Sequence, residues 1–455
     1  FFLMIRRPPR SPLDRSSAAS DVYKRQLYSA VTWAAQPLLR RKLLRRAEAE
    51  PVYAEHIPER FGRYQPATLG QDGRGRWIWI HAVSLGETRA AAILLTALRE
   101  HLPGMRLLLT HGTATGRTEG RRLLQSGDLQ VWQPWDTPAA VRRFVQQFRP
   151  AVGVLMETEV WPNLVAICRE EGVPLALANA RLSDKSLGQA LRVAPLARPT
   201  YAALAAAWAQ TEDDARRLRL LGAPVRGVLG NLKFDARPDA ALLERARQWK
   251  SGLSRPVVLL ASSREGEEAM LLSALRTLGP AGRAVQWLVV PRHPQRFDEV
   301  AALLAGGGLH VSRRSQWVGG PPCGAAADDI DIWLGDSLGE MALYYGLADA
   351  TLMGGSFAPL GGQNLIEALA CDCPVVLGPH TFNFSEASDL ACEAGAALRA
   401  PDMAHGLRLA VDLAGDRQSH AHAVAQARGF LDQHRGAAQA TAQAMAGLLQ
   451  PQPLR

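Results

Sequence analysis

Short apolar runs recur along the chain, each followed by a polar loop and then by a helical pattern. RWIWIHAV (76–83) leads through SLGE into TRAAAILLTALREH, whose apolar positions return at three- and four-residue spacings. RLLLTHG (106–112), AVGVLME (151–157) and PLALANA (174–180) begin similar units, and AALAAAWAQ, TEDDARRLRLLGAP and VRGVLGNLKF continue the alternation. It breaks over the polar stretch 235–256, which carries Pro238 and Pro256. It then restarts with VVLLASS, AVQWLVVPRHP, GLHVSRRS, DIDIWLGD, ADATLMGG and CPVVLGP. Strand–helix repetition of this kind implies parallel sheets with helices on both faces. The pattern predicts an α/β protein with two Rossmann-like domains facing a cleft, 51–235 and 236–455, the second ending in an Ala/Gln-rich helical tail over 417–449.

The beginning of the chain reads differently. Residues 1–26 show no hydrophobic periodicity and no signal-peptide core, and resemble translated adapter read-through. They are expected to be non-native or a disordered basic arm. Leu27 to Leu39 is apolar but broken by Gln36 and Pro37, and a bilayer span needs ~20 residues. Arg40 to Arg46 then carries five basic residues among seven. An apolar run beside a cationic one predicts that 27–50 lies in a membrane interface, its cations toward anionic headgroups, although a surface helix packed on the core reads the same way.

Composition sharpens this picture. A chain of 455 residues exceeds one ordinary core, and 47% hydrophobic with 21% charged residues marks a globular protein. The net charge of +9 suggests a nucleic-acid partner until it is located: it sits entirely before residue 47, and the rest of the chain is balanced. No nucleic-acid partner is expected. Five scattered cysteines, with Cys371 and Cys373 too close for zinc spacing, imply reduced thiols. Asp329-Ile330-Asp331 reads as a strand lead-in, and no obligatory metal or cofactor is expected.

Ligands of parallel sheets gather beyond the carboxyl ends of the strands. Glu87 stands where the first strand hands over to a helix. It could accept a proton from an attacking hydroxyl or simply stabilise the first helical turn. Glu157 and Glu159 end a later strand in METEVWPN, and Lys233 lies near the domain boundary. The second half is richer in anion-friendly loops: ASSREGEE, Arg292 and His293 between two prolines, the turn GDSLGEM, and the glycine-rich MGGSFAPLGGQN ahead of Asn364 and Glu367. Together these point to a nucleotide.

HAVSLGET, THGTATGR, METEVWPN, NARLSDKS, GNLKFD, VPRHPQRF, GDSLGEM, GGSFAPLGGQNLIEA and GPHTFNF, in this order, resemble the bacterial 3-deoxy-D-manno-octulosonic acid (Kdo) transferases over roughly residues 27–450. The resemblance implies a GT-B fold and an inverting transfer of Kdo from CMP-Kdo to a lipid A precursor, lipid IVA, on the cytoplasmic face of the inner membrane. It implies Glu87 as the catalytic base and Glu157 and Lys233 as transition-state stabilisers. Pro291, Arg292, Leu338, Gly339, Glu340, Asn364, Leu365, Ile366 and Glu367 are implied as the CMP site, Asn364 and Glu367 lying one turn apart so that both side chains are expected on one helix face directed at the ligand. The chain departs from the family pattern at Arg264 and Gln363, where histidine is common. The other readings are a UDP-sugar transferase or epimerase of the same fold, or a non-catalytic sugar-nucleotide binder.

Overall fold

A computed structural model describes residues 12–65, 77–324 and 329–449. By contacts the chain forms two units, one holding 12–235 and 436–449 and the other 236–435. The first contains β1 (Trp77–His81), β2 (Arg106–His111), β3 (Leu129–Trp132), β4 (Val152–Met156), β5 (Leu175–Ala180), β6 (Ala206–Ala209) and β7 (Val225–Val228). All pair in parallel, in the order β3-β2-β1-β4-β5-β6-β7. Trp77, Trp79 and Leu155 bury one face against Phe144, Phe148 and Leu164. Ile78, Ile80 and Val154 bury the other against Leu94, Leu98 and Met445.

The second unit repeats the plan. It contains β8 (Val257–Ser263), β9 (Gln286–Pro291), β10 (Val311–Arg313), β11 (Ile332–Leu334), β12 (Ala350–Met353), β13 (Val375–Leu377) and β14 (Ala397–Arg399). They too pair only in parallel, in the order β10-β11-β9-β8-β12-β13-β14.

Several expectations change. Strands β3 and β14 were not among the sequence-predicted runs: LQVW is short, interrupted by Gln130 and only half buried, and ALR is only three residues long. The second domain was expected to run to 455, but the helix Ala437–Leu449 belongs to the first unit. Asp235 accepts the N–H groups of Gly436 (2.6 Å) and Ala438 (2.7 Å), and Ala438, Ala442 and Met445 pack beneath Leu94 and Leu98.

Of the segment 1–26, residues 1–11 lie outside the described residues. The remainder is helical rather than disordered, because Pro12–Ala34 is a single helix continuing into the apolar run. A second helix, Gln36–Ala49, starts at the Gln-Pro interruption, with Pro37 in its first turn where proline is tolerated. Leu43 is buried with Tyr53, Ala114 and Trp132. One face of 27–50 is thus docked on the first unit, as the surface-helix reading had it. Tyr23, Leu27, Val31, Trp33 and Leu38 stay exposed.

At the centre of the first sheet Gly153 pairs in register with Trp79 on one side and Leu175 on the other. A methyl group there would stand 2.5 Å from the Trp79 ring and 2.6 Å from Leu175 Cδ1. Trp79 is held in turn by its indole N–H, which donates to Thr110 Oγ1 at 2.8 Å. Gly153→Ala should therefore destabilise the first unit by roughly 1–3 kcal/mol, the usual cost of overpacking. Denaturant unfolding measures it, and an unchanged midpoint would show that Trp79 is free to move aside.

Candidate active site

In the first unit the chain leaves β1 toward β2 and β4 toward β5, so β1 and β4 flank the point where strand order reverses, the usual ligand crevice of such sheets. Glu87 lies just after β1, in the first turn of the helix Leu85–His101. Its N–H donates to the Ser84 hydroxyl (3.3 Å). Its carboxylate accepts from that hydroxyl (2.9 Å) and from the Val83 N–H (2.8 Å). This exchange resembles a capping box, so the helix-stabilising reading of Glu87 holds locally. The carboxylate also has acid–base character. Burial pushes its pKa up to about 7, opposed by the Val83 N–H and the Ser84 hydroxyl and reinforced by the charges of Glu157 and Glu159.

Glu157 follows β4 with φ +57°, a left-handed conformation that aims the chain sharply out of the strand. Its Oε1 lies 3.6 Å from Lys233 Nζ, with both side chains about three-quarters buried. Lys233 is positioned by its own turn: Asn231 Oδ1 accepts the Lys233 N–H at 3.0 Å, and Asn179 Oδ1 accepts the Leu232 N–H at 3.0 Å. The three expected residues of this unit thus share one locus, Glu157 linking Glu87 by charge and Lys233 by an ion pair. Glu159 joins them: burial raises its pKa, offset by the Trp161 indole N–H that donates to it at 3.0 Å. Its alternating position beside Glu157 in METEVWPN was the one sequence signal for it.

The second unit has its own reversal between β8 and β12. There a carboxylate already occupies the glycine-rich loop. Glu267, fully buried, accepts N–H groups from Gly355 (2.6 Å), Arg264 (2.9 Å), Phe357 (3.0 Å) and Ala358 (3.3 Å). The backbone donors at 355, 357 and 358, which sequence reasoning offered to a ligand, are turned inward. Beside it Glu268, also buried, holds Arg296 by two bonds of 2.9 and 3.0 Å and accepts the Ser263 hydroxyl at 2.7 Å. Neither acid was singled out from the sequence, because GEE at a helix start reads as ordinary first-turn charge.

Around this framework stand the expected CMP residues. Pro291 ends β9 and is buried, while Arg292 is half-buried with its N–H bonded to Ser263 O at 3.0 Å. Leu338 is 74% exposed beside Gly339 at φ +81°. Glu340 is held by the Ser337 hydroxyl (2.5 Å) and by Arg314 (2.9 Å), whose guanidinium lies over Trp249 and Trp317.

Asn364 and Glu367 do not share a helix face. The helix is the single turn Ile366–Ala370, and Asn364 precedes it, its Oδ1 accepting the Ile366 N–H (3.2 Å) and its amide lying 3.5 Å from Glu367 Oε1. Leu365 and Ile366 are 0% and 1% exposed. Their side chains belong to the core, so only their backbone could meet a ligand. Among the described residues no group of three or more His, Cys, Asp or Glu side chains forms a metal site.

The sequence profile described as 3-Deoxy-D-manno-octulosonic-acid transferase (kdotransferase) matches residues 55–236. The 3-deoxy-D-manno-octulosonic acid transferase of Bordetella pertussis is 45% identical over 434 residues, covering 92% of this chain and 98% of its own. That of Haemophilus influenzae is 31% identical over 394 residues, covering 85% and 90% respectively. A solved glycosyltransferase from Rickettsia africae aligns over 83% of this chain and 100% of its own with a TM-score of 0.54 and 13% identity, a likeness of fold alone. With two parallel seven-stranded sheets in the GT-B manner and close sequence identity along nearly its whole length, the chain belongs to the Kdo transferase family of glycosyltransferases.

Proposed function

We propose that the protein transfers Kdo from CMP-Kdo to a lipid A precursor of the lipid IVA type, inverting the anomeric centre, with Glu87 as general base. The observation that carries this reading is the Glu87 carboxylate at the strand-order reversal, with a pKa of about 7 and the Glu157–Lys233 pair beside it. An acceptor hydroxyl attacks the anomeric carbon and gives its proton to Glu87. The bond to the CMP phosphate breaks, and its electron pair leaves with CMP. A phosphate is a good leaving group, so the scheme needs no strong acid, metal or cofactor. Lys233 and Glu157 offer fixed charges to a transition state in which charge separates, and such preorganised groups cost no reorganisation when the reaction occurs.

In the second unit Arg292, Gly339, Glu340, Asn364 and Glu367, with the backbone at Leu365 and Ile366, provide the CMP site. Arg292 supplies the cation for the phosphate. The sequence also allowed a UDP-sugar enzyme or a non-catalytic binder. No observation favours either, and a comparison of CMP with UDP binding separates the first.

The acceptor is a lipid, and the N-terminal helices suit delivery at a surface. Tyr23, Leu27 and Val31 recur every four residues, exposed to 69%, 59% and 59%, and Arg40, Arg41 and Arg45 are exposed nearby. Among the described residues no helix is long and apolar enough to cross a membrane. We therefore infer peripheral attachment, at the cytoplasmic face of the inner membrane.

Three outcomes test these assignments. Glu87→Gln should keep CMP binding and lower turnover by ~10²-fold or more, as loss of a general base does. Only the carboxylate accepts a proton, so wild-type turnover should fall as pH drops through about 7. Near-normal turnover in the folded variant removes the assignment. Arg292→Ala should weaken CMP-Kdo binding while sparing the acceptor, since a charge-assisted contact is worth roughly 1.5–3 kcal/mol. Calorimetry with both ligands decides. Replacing Arg40, Arg41 and Arg45 by Ser should release the protein from phosphatidylglycerol vesicles, each cation being worth about 1 kcal/mol near an anionic surface. Persistent sedimentation with vesicles at high salt would place the attachment elsewhere.

A further inference from the structure

The N-terminal helix Pro12–Ala34 reaches the loop that carries the acidic cluster. Its Tyr28 hydroxyl donates to Asp136 Oδ2 at 2.9 Å, and its Ser29 hydroxyl donates to Asn163 Oδ1 at 2.8 Å. Asp136 lies between β3 and the helix Pro138–Phe148. It accepts the N–H groups of Asn163 (3.0 Å) and Leu164 (2.7 Å), and its carbonyl accepts the Asn163 side-chain amide (2.8 Å). The helix Pro162–Glu170 begins after Trp161, which makes no side-chain cap. Asp136 therefore caps that helix from another loop, doing what an N-cap Asp or Ser usually does for its own. Immediately upstream, the Trp161 indole holds Glu159.

Hydrogen bonds thus run from the N-terminal helix through Asp136 to Asn163 and Leu164, and the chain continues directly back from Asn163 into the turn that presents Glu157, Glu159 and Trp161. We propose that Tyr28 and Ser29 are positioning residues for the transfer reaction: seating of the N-terminal helix fixes the Glu157–Asn163 loop, and through it the charges around Glu87. The helix is then a working part of the site as well as a membrane attachment. This rests on Glu87 acting as the base. The groups bearing on Glu87 are Glu157 and Glu159 from the loop, with Lys233 paired to Glu157, and the Val83 N–H and Ser84 hydroxyl from its own turn. Of these, Glu157 and Glu159 sit on the loop that Tyr28 and Ser29 hold.

The test uses the full chain with CMP-Kdo and a detergent-dispersed lipid A precursor, so that vesicle binding plays no part. The double variant Tyr28→Phe, Ser29→Ala should lower kcat about 5- to 10-fold, the scale of losing hydrogen bonds that hold a site. It should leave the KM for CMP-Kdo unchanged and move the acid limb of the pH–rate profile to lower pH, because a loosened loop takes like charge away from Glu87. Arg25→Ala is the control. It removes a half-exposed pair with Glu170 (2.9 Å) on the same helix, outside the relay, and should leave kcat and the limb unchanged.

A double variant with wild-type kcat and an unmoved limb, alongside an inactive Glu87→Gln, overturns the interlock alone. Equal loss in Arg25→Ala overturns it too, since general docking of the helix would then suffice. Wild-type turnover in Glu87→Gln overturns the base assignment instead. If the double variant melts early, Tyr28→Phe alone carries the same readouts.

Discussion

Wherever a parallel strand turns into a helix, the first N–H groups of that helix need acceptors, and this protein meets the need largely with carboxylates withdrawn from water. Glu267 gathers four N–H groups from two loops, Asp136 caps a helix that is not its own, and Glu87 takes the Val83 N–H. Each such acid bears a desolvation cost that raises its pKa, and the outcome depends on how many donors offset it. Glu267 is enclosed by four N–H donors and cannot reach solvent, so its carboxylate serves as a fixed acceptor inside the loops, with burial raising its pKa against those donors. Glu87 has one N–H and one hydroxyl, remains partly exposed, and carries two acidic neighbours. The same device that builds the loops therefore leaves one acid near neutrality and partly open to solvent.

Topology decides which acid that is. Both sheets reverse their strand order at the centre, between β1 and β4 and between β8 and β12, and chemically loaded loops follow these strands. In the first unit the crevice collects Glu87, Glu157 and Lys233. In the second, Glu267 draws the N–H groups of 355, 357 and 358 inward, and Arg292 and the turns at Gly339 and Asn364 follow β9, β11 and β12 of the same sheet. The absence of a side chain at Gly153 belongs to the same arrangement: it lets Trp79 cross between β1 and β4, the two strands whose ends carry the acids.

Much of this was legible in the chain. The apolar runs located twelve of the fourteen strands among the described residues, because a strand covered on both faces must be apolar throughout. The two missed, LQVW and ALR, both lie at a sheet edge, where burial asks less of the sequence. Glu87, Glu157 and Lys233 were nameable because their motifs are continuous in sequence. The structure adds the contact between them, which depends on the reversal bringing β1 beside β4.

Partners distant in sequence stayed hidden. Nothing in GEE shows that its first acid will accept N–H groups from residues some ninety positions later, and nothing in WDTP shows that Asp136 will cap the helix at Pro162. The Asn364–Glu367 spacing suggested one helical face. The helix proved too short for that, and the pair meets through its own amide and carboxylate instead.

The N-terminal helices carry one attachment seen in the structure, to the first unit, and the proposed one to lipid. Toward the first unit, Leu43 is buried and the Tyr28 and Ser29 hydroxyls are bonded, which sets the helix in one orientation. Away from it, the apolar stripe and the exposed arginines offer only contacts that salt weakens within a Debye length of ~10 Å. The protein side is geometrically specific, whereas the lipid side is non-directional. Since the rest of the chain carries no net charge, the proposed attraction to an anionic surface would act chiefly through this one element, and its seat on the body would then determine which face of the first unit is turned to the lipid. Because that seat runs through Asp136 and Asn163, the loop holding the acidic cluster is oriented by the same bonds that orient the helix.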